Sequence, residues 1–317
     1  MRILVTGATG FIGSRLCERL VEEGYDVWGL VRFTSNKRRI PDGIKVFSAD
    51  LTDPFSVAEA VKFIRPQAVF HLGAITPVSE SFRQPKLYME TNYGGTINLA
   101  EACRKYCEDL RLFAFASTSE VYGNQIHFPV SEYNTPKPNT PYSISKYAAE
   151  LYLRNYMHEA YKFPVVVARP FNTYGRALVN QPHFVVEKII VNMLKGVEKL
   201  SLGNPKIERD FMFREDHVNA YLSILQAIES GNFNSFGEAY NFCTGSCISI
   251  GTLVETIKSL TGWDGEVVWY THVRPCDIAC LWGDYSKAKN TFNWQPKYDL
   301  TSGLKQAIKE WKEVLGL

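Results

Sequence analysis

Apolar and polar positions follow two different periods along the first half of the chain. Short, mostly apolar runs at positions 3–6, 26–31, 44–48, 68–72 and 112–117 read as strands. Between them apolar residues recur at helical spacing, as in Ile12, Leu16 and Leu20, or Leu99, Ala102 and Cys103. Each intervening helix therefore has one face to lay on a sheet. Strand and helix in alternation predict an α/β fold, because parallel strands need crossovers that helices supply. A further helix is expected over about 142–161, followed by Pro164-Val165-Val166-Val167-Ala168 as another buried strand. After Asn172 the pattern loosens into Gly, Pro and Asn punctuation with mixed short elements. The expected division is residues 1–171 as one domain and residues 172–317 mainly as a second, smaller one, with some segments returning to the first. No repeat at solenoid period and no low-complexity tract interrupts it.

Composition narrows the class of function. The chain has 317 residues, 45% of them apolar and 21% charged, enough to bury a core of two domains at roughly 150 residues each. Thirty-five Lys and Arg against 33 Asp and Glu leave a net charge of +2. So small a field does not gather polyanions, and neither nucleic acid nor a membrane surface is expected as a partner. No apolar run approaches the ~20 residues of a membrane helix, and Met1-Arg2-Ile3-Leu4-Val5-Thr6-Gly7 enters a strand without a signal-peptide pattern. A cytoplasmic protein is the expectation. Seven cysteines include the spaced pairs Cys103/Cys107, Cys243/Cys247 and Cys276/Cys280. None forms a paired knuckle with nearby His, so no metal centre is expected, and Cys103 with Cys107 reads as a small apolar pair on one helix face.

Thr6-Gly7-Ala8-Thr9-Gly10-Phe11-Ile12-Gly13 closes the first strand and opens the first helix. In that context the glycines have physical roles. Gly7 and Gly10 allow a tight turn and close approach of a pyrophosphate, and Gly13 allows helix and strand to pack closely. The helix N-terminus offers free N–H groups and partial positive charge. A Walker loop is excluded, since no Lys-Ser or Lys-Thr pair ends the run; a purely structural turn is the alternative. The expected architecture is thus a Rossmann-type doubly wound parallel sheet with a smaller C-terminal substrate-binding domain. At the end of the second strand, where an NAD site usually has an acid, stands Arg32, followed by the basic stretch Lys37-Arg38-Arg39. A guanidinium suits a 2′-phosphate, which favours NADP over NAD, with a solvated basic loop as the other reading. Asp50 and Leu51, just after the third strand, are placed to meet adenine.

Tyr and Lys four residues apart share a helix face, where the ammonium can lower the phenol's pKa. The spacing occurs at Tyr133/Lys137, Tyr142/Lys146 and Tyr285/Lys289. Only Tyr142/Lys146 has a helix start (Thr140-Pro141) and a long helical continuation after the fifth strand. That strand runs into Ser117-Thr118-Ser119-Glu120-Val121-Tyr122-Gly123, so hydroxyls and a carboxylate lie at the sheet's C-terminal edge. Thr118 can hydrogen-bond the oxygen whose proton Tyr142 moves, and Glu120 can take a proton from a carbon acidified by an adjacent ketone. Loop capping or ion pairing is the alternative for Glu120.

Taken together, TGATGFIG, HLGA at 71–74, TNYGGT at 91–96, STSEVYG at 117–123, YSISK at 142–146 and RPFNTYG at 169–175 make the chain resemble the extended short-chain dehydrogenase/reductases across nearly its whole length. This is the NAD(P)-dependent nucleotide-sugar epimerase and dehydratase family. The resemblance implies cofactor contacts at Gly7, Thr9, Gly10, Phe11, Ile12, Gly13, Arg32, Asp50, Leu51, Leu72, Ala74, Tyr142 and Lys146. It implies substrate contacts at Thr118, Ser119, Glu120, Asn172, Lys188, Arg209 and Arg274, with the two arginines bracketing a nucleotide diphosphate. It also implies a homodimer through paired helices, with a tetramer as the larger option.

Three reactions in this family share one machinery for moving a hydride at carbon 4 of the sugar. An epimerase returns the hydride to the other face, a 4,6-dehydratase eliminates water across carbons 5 and 6, and a reductase runs the hydride step toward a keto-sugar. Glu120 favours the dehydratase, because that reaction needs a base at carbon 5. Thr118-Ser119-Glu120, LGN with RD at 202–210, RP at 274–275 and NWQPK at 293–297 resemble GDP-mannose 4,6-dehydratases and GDP-4-keto-6-deoxymannose reductases. UDP-glucuronate decarboxylases share STSEVYG, and Phe11-Ile12 differs from the Gln-Asp usual in the GDP-mannose enzymes. A non-catalytic NADP-sensing scaffold is the contrasting class, since fold alone does not fix function. A sensor, however, has no use for an intact Tyr–Lys–Thr proton relay.

Overall fold

The computed structural model describes residues 1–176, 184–270 and 276–317. It divides into two compact units: Met1–Val121 with Pro138–Arg169 and Val218–Tyr240, and Tyr122–Lys137 with Pro170–His217 and Asn241–Leu317. The chain leaves the first unit after Val121, returns at Pro138, leaves again after Arg169 and returns at Val218.

The first unit is built on β1 (Arg2–Thr6), α1 (Phe11–Glu22), β2 (Asp26–Val31), β3 (Lys45–Ser48), α2 (Pro54–Ile64) and β4 (Ala68–His71). It continues through the short helices α3 (Val78–Ser81) and α4 (Pro85–Tyr88), then α5 (Gly95–Tyr106), β5 (Leu112–Ala116), α6 (Pro141–Leu151), α7 (Glu159–Tyr161) and β6 (Val165–Pro170). The helix expected over 142–161 starts one residue earlier, at Pro141, and widens into a π-helical stretch at Tyr152–His158. Its start has a clear cause: Thr140 and Ser143 form a reciprocal capping box, with Pro141 at the first helical position.

The central sheet has seven strands, ordered β11-β6-β5-β4-β1-β2-β3, where β11 is Ala239–Phe242. The pairs from β3 through to β6 are all parallel. The strand order reverses between β1 and β4, the position where doubly wound sheets open a crevice at their carboxyl edge. The inner strands read apolar on both faces because both are covered: Ile3, Leu4, Val5, Val69, Phe70, Phe113 and Val167 are all fully buried, whereas β3, at the sheet edge, has Lys45 and Val46 exposed and Phe47 and Ser48 half-buried. On one side Val57, Ala60, Val61 and Ile64 of α2 meet Leu99, Ala102 and Cys103 of α5 in one core cluster. The reading of Cys103 as a small apolar residue agrees with that position.

The second unit holds shorter elements: β7 (Asn172–Tyr174), α8 (Val185–Leu194), β8 (Lys199–Leu202), β9 (Glu208–Arg209) and β10 (Phe211–Phe213). The helix α9 (Arg214–Glu229) begins in this unit and continues into the first. After it come β12 (Ile248–Ser249), α10 (Ile250–Thr261), β13 (Glu266–Trp269), β14 (Cys280–Leu281), α11 (Ser286–Phe292) and α12 (Leu300–Leu315). Three small sheets, β10-β7, β12-β9-β14 and β13-β8, replace a single large one. Its core gathers Ile189, Ile190 and Met193 of α8, Leu253 and Ile257 of α10, and Leu304, Ile308 and Trp311 of α12. None of the helices described is long and apolar enough to cross a membrane.

Candidate active site

The glycine turn sits at the reversal of the sheet order, between the ends of β1 and β4. Gly7 has φ +71°, and a side chain there would meet the backbone of Gly73 at 3.0 Å. Gly13 lies against the Gly7 carbonyl so closely that a Cβ would enter that oxygen's van der Waals shell. Helix α1 begins at Gly10 with no side-chain cap and no acid in its first turn. An uncapped positive helix end behind a turn that no side chain can fill fits the pyrophosphate of a dinucleotide. Thr9 is half-buried and Gly10 exposed at this end, while Phe11 and Ile12 form the first turn of α1.

Leu72 and Ala74 flank Gly73 on the segment after β4. A Cβ on Gly73 would press on Leu51 at 2.8 Å and on the Thr6 hydroxyl at 3.0 Å, so Leu51 shares this crevice. The Leu51 carbonyl is pinned by Asn98, and the Asp50 carboxylate accepts bonds from Thr52. Arg32 lies exposed just past β2, its backbone N–H bonded to Ser35.

Beneath the turn runs a buried polar chain that the sequence motifs did not announce. Gly73 N–H donates to Thr6 Oγ1 (2.9 Å), which meets His71 Nδ1 (2.7 Å). His71 Nε2 meets Thr96 Oγ1 (2.9 Å), which donates to the Asn92 carbonyl (2.6 Å). Because Thr96 spends its proton on that carbonyl, His71 must carry its own proton on Nε2 and accept from Thr6 at Nδ1. Burial holds the ring's pKa down to about 3, so it stays neutral and serves as a fixed strut. Asn92 extends the chain, holding Ile75 N–H and C=O and donating to Ser145 Oγ on α6 (3.0 Å).

On α6 Tyr142 and Lys146 are both buried. The Thr118 side chain, from the end of β5, hydrogen-bonds the Tyr142 phenol, and the Glu120 carboxylate is near enough for its charge to act on that phenol. Burial pushes the Tyr142 pKa well up, Thr118 pulls it back, and Glu120 adds to the rise. The structure therefore brings together Thr118, Glu120 and Tyr142. Ser119, between them, is buried, and Glu120 N–H donates to Thr118 Oγ1 at 3.2 Å.

Lys146 stands over the Phe115 ring, its Nζ 4.3 Å from the centroid. Burial lowers its pKa to about 7, opposed by the charge of Glu150 one turn further along the helix. Glu150 is fully buried, takes Arg169 Nη2 at 2.6 Å and is hydrogen-bonded by Ser117. The sequence reading passed over Glu150, although its spacing of four beyond Lys146 was a signal that it shares the face of Tyr142 and Lys146.

The expected substrate residues other than the β5 loop belong to the second unit. Asn172 opens β7 in register with Phe211 of β10. Lys188 is exposed on α8, its Nζ 3.4 Å from the Ser201 carbonyl. Arg209 is buried on β9, donates to the Glu208 carbonyl, and has Asp277 at 3.8 Å. Asp210 turns elsewhere, to the N–H groups of Thr244 and Gly245. Arg274 lies outside the described residues.

A Rossmann sheet with a phosphate turn at its switch point and a Tyr–Lys–Thr group at its carboxyl edge defines a nucleotide-sugar epimerase/dehydratase of the short-chain dehydrogenase/reductase type. The chain belongs to this family: the sequence model described as GDP-mannose 4,6 dehydratase matches residues 4–307. Among solved structures it is similar to the UDP-glucose 4-epimerase of Thermotoga maritima with UDP-glucose, at 31% identity and TM-score 0.91, covering 99% of this chain and 100% of that one. The UDP-glucose 4-epimerase of Thermus thermophilus in complex with NAD is 30% identical, with TM-score 0.88, covering 98% and 99%. A GDP-6-deoxy-D-mannose reductase of Pseudomonas aeruginosa is 29% identical, covering 98% of this chain and 97% of that protein.

Proposed function

We propose that the chain is an NADP-dependent 4,6-dehydratase acting on a nucleotide-diphosphate sugar of the GDP-mannose type, through a 4-keto sugar. The observation that carries this reading is Glu120, a carboxylate close enough to Tyr142 to raise its pKa and two residues beyond Thr118 on the same loop. In its support stand the family match and the fit of the Gly7–Gly13 turn to a dinucleotide.

The Gly7–Gly13 turn at the start of α1 would hold a dinucleotide, which would supply the acceptor for the carbon-4 hydride and its later return. Tyr142 takes the proton of the carbon-4 hydroxyl, and Thr118 hydrogen-bonds the phenol that does so. Desolvation drives both Tyr142 and Lys146 toward their neutral forms. A phenolate therefore forms only with positive charge beside it, which Lys146, supported by Glu150, supplies. Once carbon 4 is a ketone, the carbon-5 proton is acidified; Glu120 removes it and passes it to the carbon-6 hydroxyl, which leaves as water with a carbon 5–carbon 6 double bond formed. Glu120 and a Tyr142 phenolate repel one another, which favours taking the two protons in sequence. In the second unit Arg209, with Asn172, Lys188 and Arg274, would hold the nucleotide diphosphate.

Arg32 favours NADP, although the Thermus relative was solved with NAD. A second reading, a nucleotide-sugar 4-epimerase, is favoured by likeness to the two UDP-glucose 4-epimerases. A homodimer in the cytoplasm completes the proposal. The test is incubation of the purified protein with GDP-mannose, UDP-glucose and related donors, read by product mass. Loss of one water supports the dehydratase; unchanged mass with inverted carbon 4 replaces it with the epimerase; stoichiometric consumption of NADPH with a keto-sugar replaces it with a reductase.

A further inference from the structure

Cysteine spacing along the chain argued against a metal centre, yet the second unit folds two distant cysteines together. Cys280 lies on β14, paired in parallel register with Glu208 of β9, and Cys247 immediately precedes β12 on the other flank of β9. The two sulfurs are 3.6 Å apart. One ligand atom from each of Glu208, Cys247 and Cys280 lies within 4.8 Å of the other two. The cysteines are half-buried.

We infer that Glu208, Cys247 and Cys280 form a binding site for a thiophilic divalent cation of the zinc class. The sulfur separation is the main reason. Tetrahedral coordination with Zn–S bonds of about 2.3 Å sets neighbouring sulfurs about 3.8 Å apart, close to the spacing present. A disulfide needs the same atoms at about 2.05 Å, so it requires movement that metal binding does not. Two sulfurs and one oxygen select against magnesium and calcium, which want oxygen shells, and leave a fourth position for water.

Charge agrees with this choice. Two thiolates and a carboxylate around a divalent ion leave one excess negative charge, and the guanidinium of Arg209 acts on Cys280 from the adjacent position. The three ligands come from β9, from β14 and from the residue before β12. A bound ion would tie these strands together beside Arg209.

The test uses the full chain, stripped with a chelator, kept under a thiol-free reductant and dialysed against zinc chloride alone. Expected is one zinc per chain, with cobalt in its place giving the thiolate-to-metal charge-transfer absorption of a tetrahedral site. Cys247→Ser with Cys280→Ser should weaken zinc binding by more than about 100-fold, Glu208→Gln by about tenfold, and Cys103→Ser should leave it unchanged. Retention of no zinc by the reduced wild-type chain overturns the site. So does equal retention by the double variant, or a cobalt complex lacking the thiolate band. The wild-type cobalt spectrum keeps the inference testable even if a variant fails to fold.

Discussion

The two units carry their polar side chains in different ways. In the first, Tyr142 and Lys146 are buried on the 11-residue helix α6 and Thr118 is buried just past β5, beside the His71 strut and the Glu150–Arg169 pair. In the second, Asn172 and Arg209 sit on strands of three and two residues, and Lys188 is exposed on a helix. Proton transfer needs groups held at fixed distances in a dry setting, which a wide parallel sheet provides. Recognition of a particular sugar and base needs a surface that can vary without disturbing the chemistry, and short strands and loops provide that.

The largest effect expected of any single change is in the first unit. Tyr142→Phe should lower turnover by about 10³-fold or more while leaving dinucleotide binding intact, measured by steady-state rates and cofactor titration. Glu120→Gln should slow water loss by about 10²–10³-fold yet still permit exchange of the carbon-4 hydride, which isotope exchange at carbon 4 reads separately. Equal loss of both activities would move Glu120 out of the elimination step.

A buried carboxyl of the second unit offers a sharper contrast with Lys146. Glu187 accepts the Gly175 N–H with one oxygen, while its other oxygen is buried with no hydrogen-bond partner among the described residues. Burial raises its pKa from 4.5 to about 7. The folded state then holds more protons than the unfolded one between those values, so the charge penalty is absent below pH 4.5 and complete above about 7. Glu187→Gln should gain stability relative to the wild type by about 2–3 kcal/mol between pH 4.5 and 8, measured by urea melts. For Lys146 the sign is reversed: its depressed pKa makes the burial penalty complete below about pH 7 and relieves it as pH rises toward 10.5. The smallest expected effect is at the first unit's rim, where Arg32→Ala should reduce the preference for NADP over NAD by about tenfold in KM.

How far the sequence could be read divides along the same line. The inner strands of the first unit were legible because burial on both faces writes itself as nearly unbroken apolar runs, and the glycine turn because only glycine fits its geometry. Tyr142/Lys146 could be separated from Tyr133/Lys137 and Tyr285/Lys289 by its helix start. The His71 strut was not legible, since its partners Thr6 and Thr96 are joined only when β1, β4 and α5 pack. The Glu208–Cys247–Cys280 cluster was hidden for the same reason, its cysteines being 33 positions apart and meeting only across β9. Short strands such as β9 and β14 are set by tertiary pairing and leave no period to read.

The account rests on Glu120 removing a proton from carbon 5, and turnover in deuterated water tests that step directly. A 4,6-dehydratase must leave one solvent deuteron at carbon 5 of a product that has lost water, with the carbon-6 methyl carrying the hydrogen that began at carbon 4. A product inverted at carbon 4, of unchanged composition and free of carbon-bound deuterium, would contradict it.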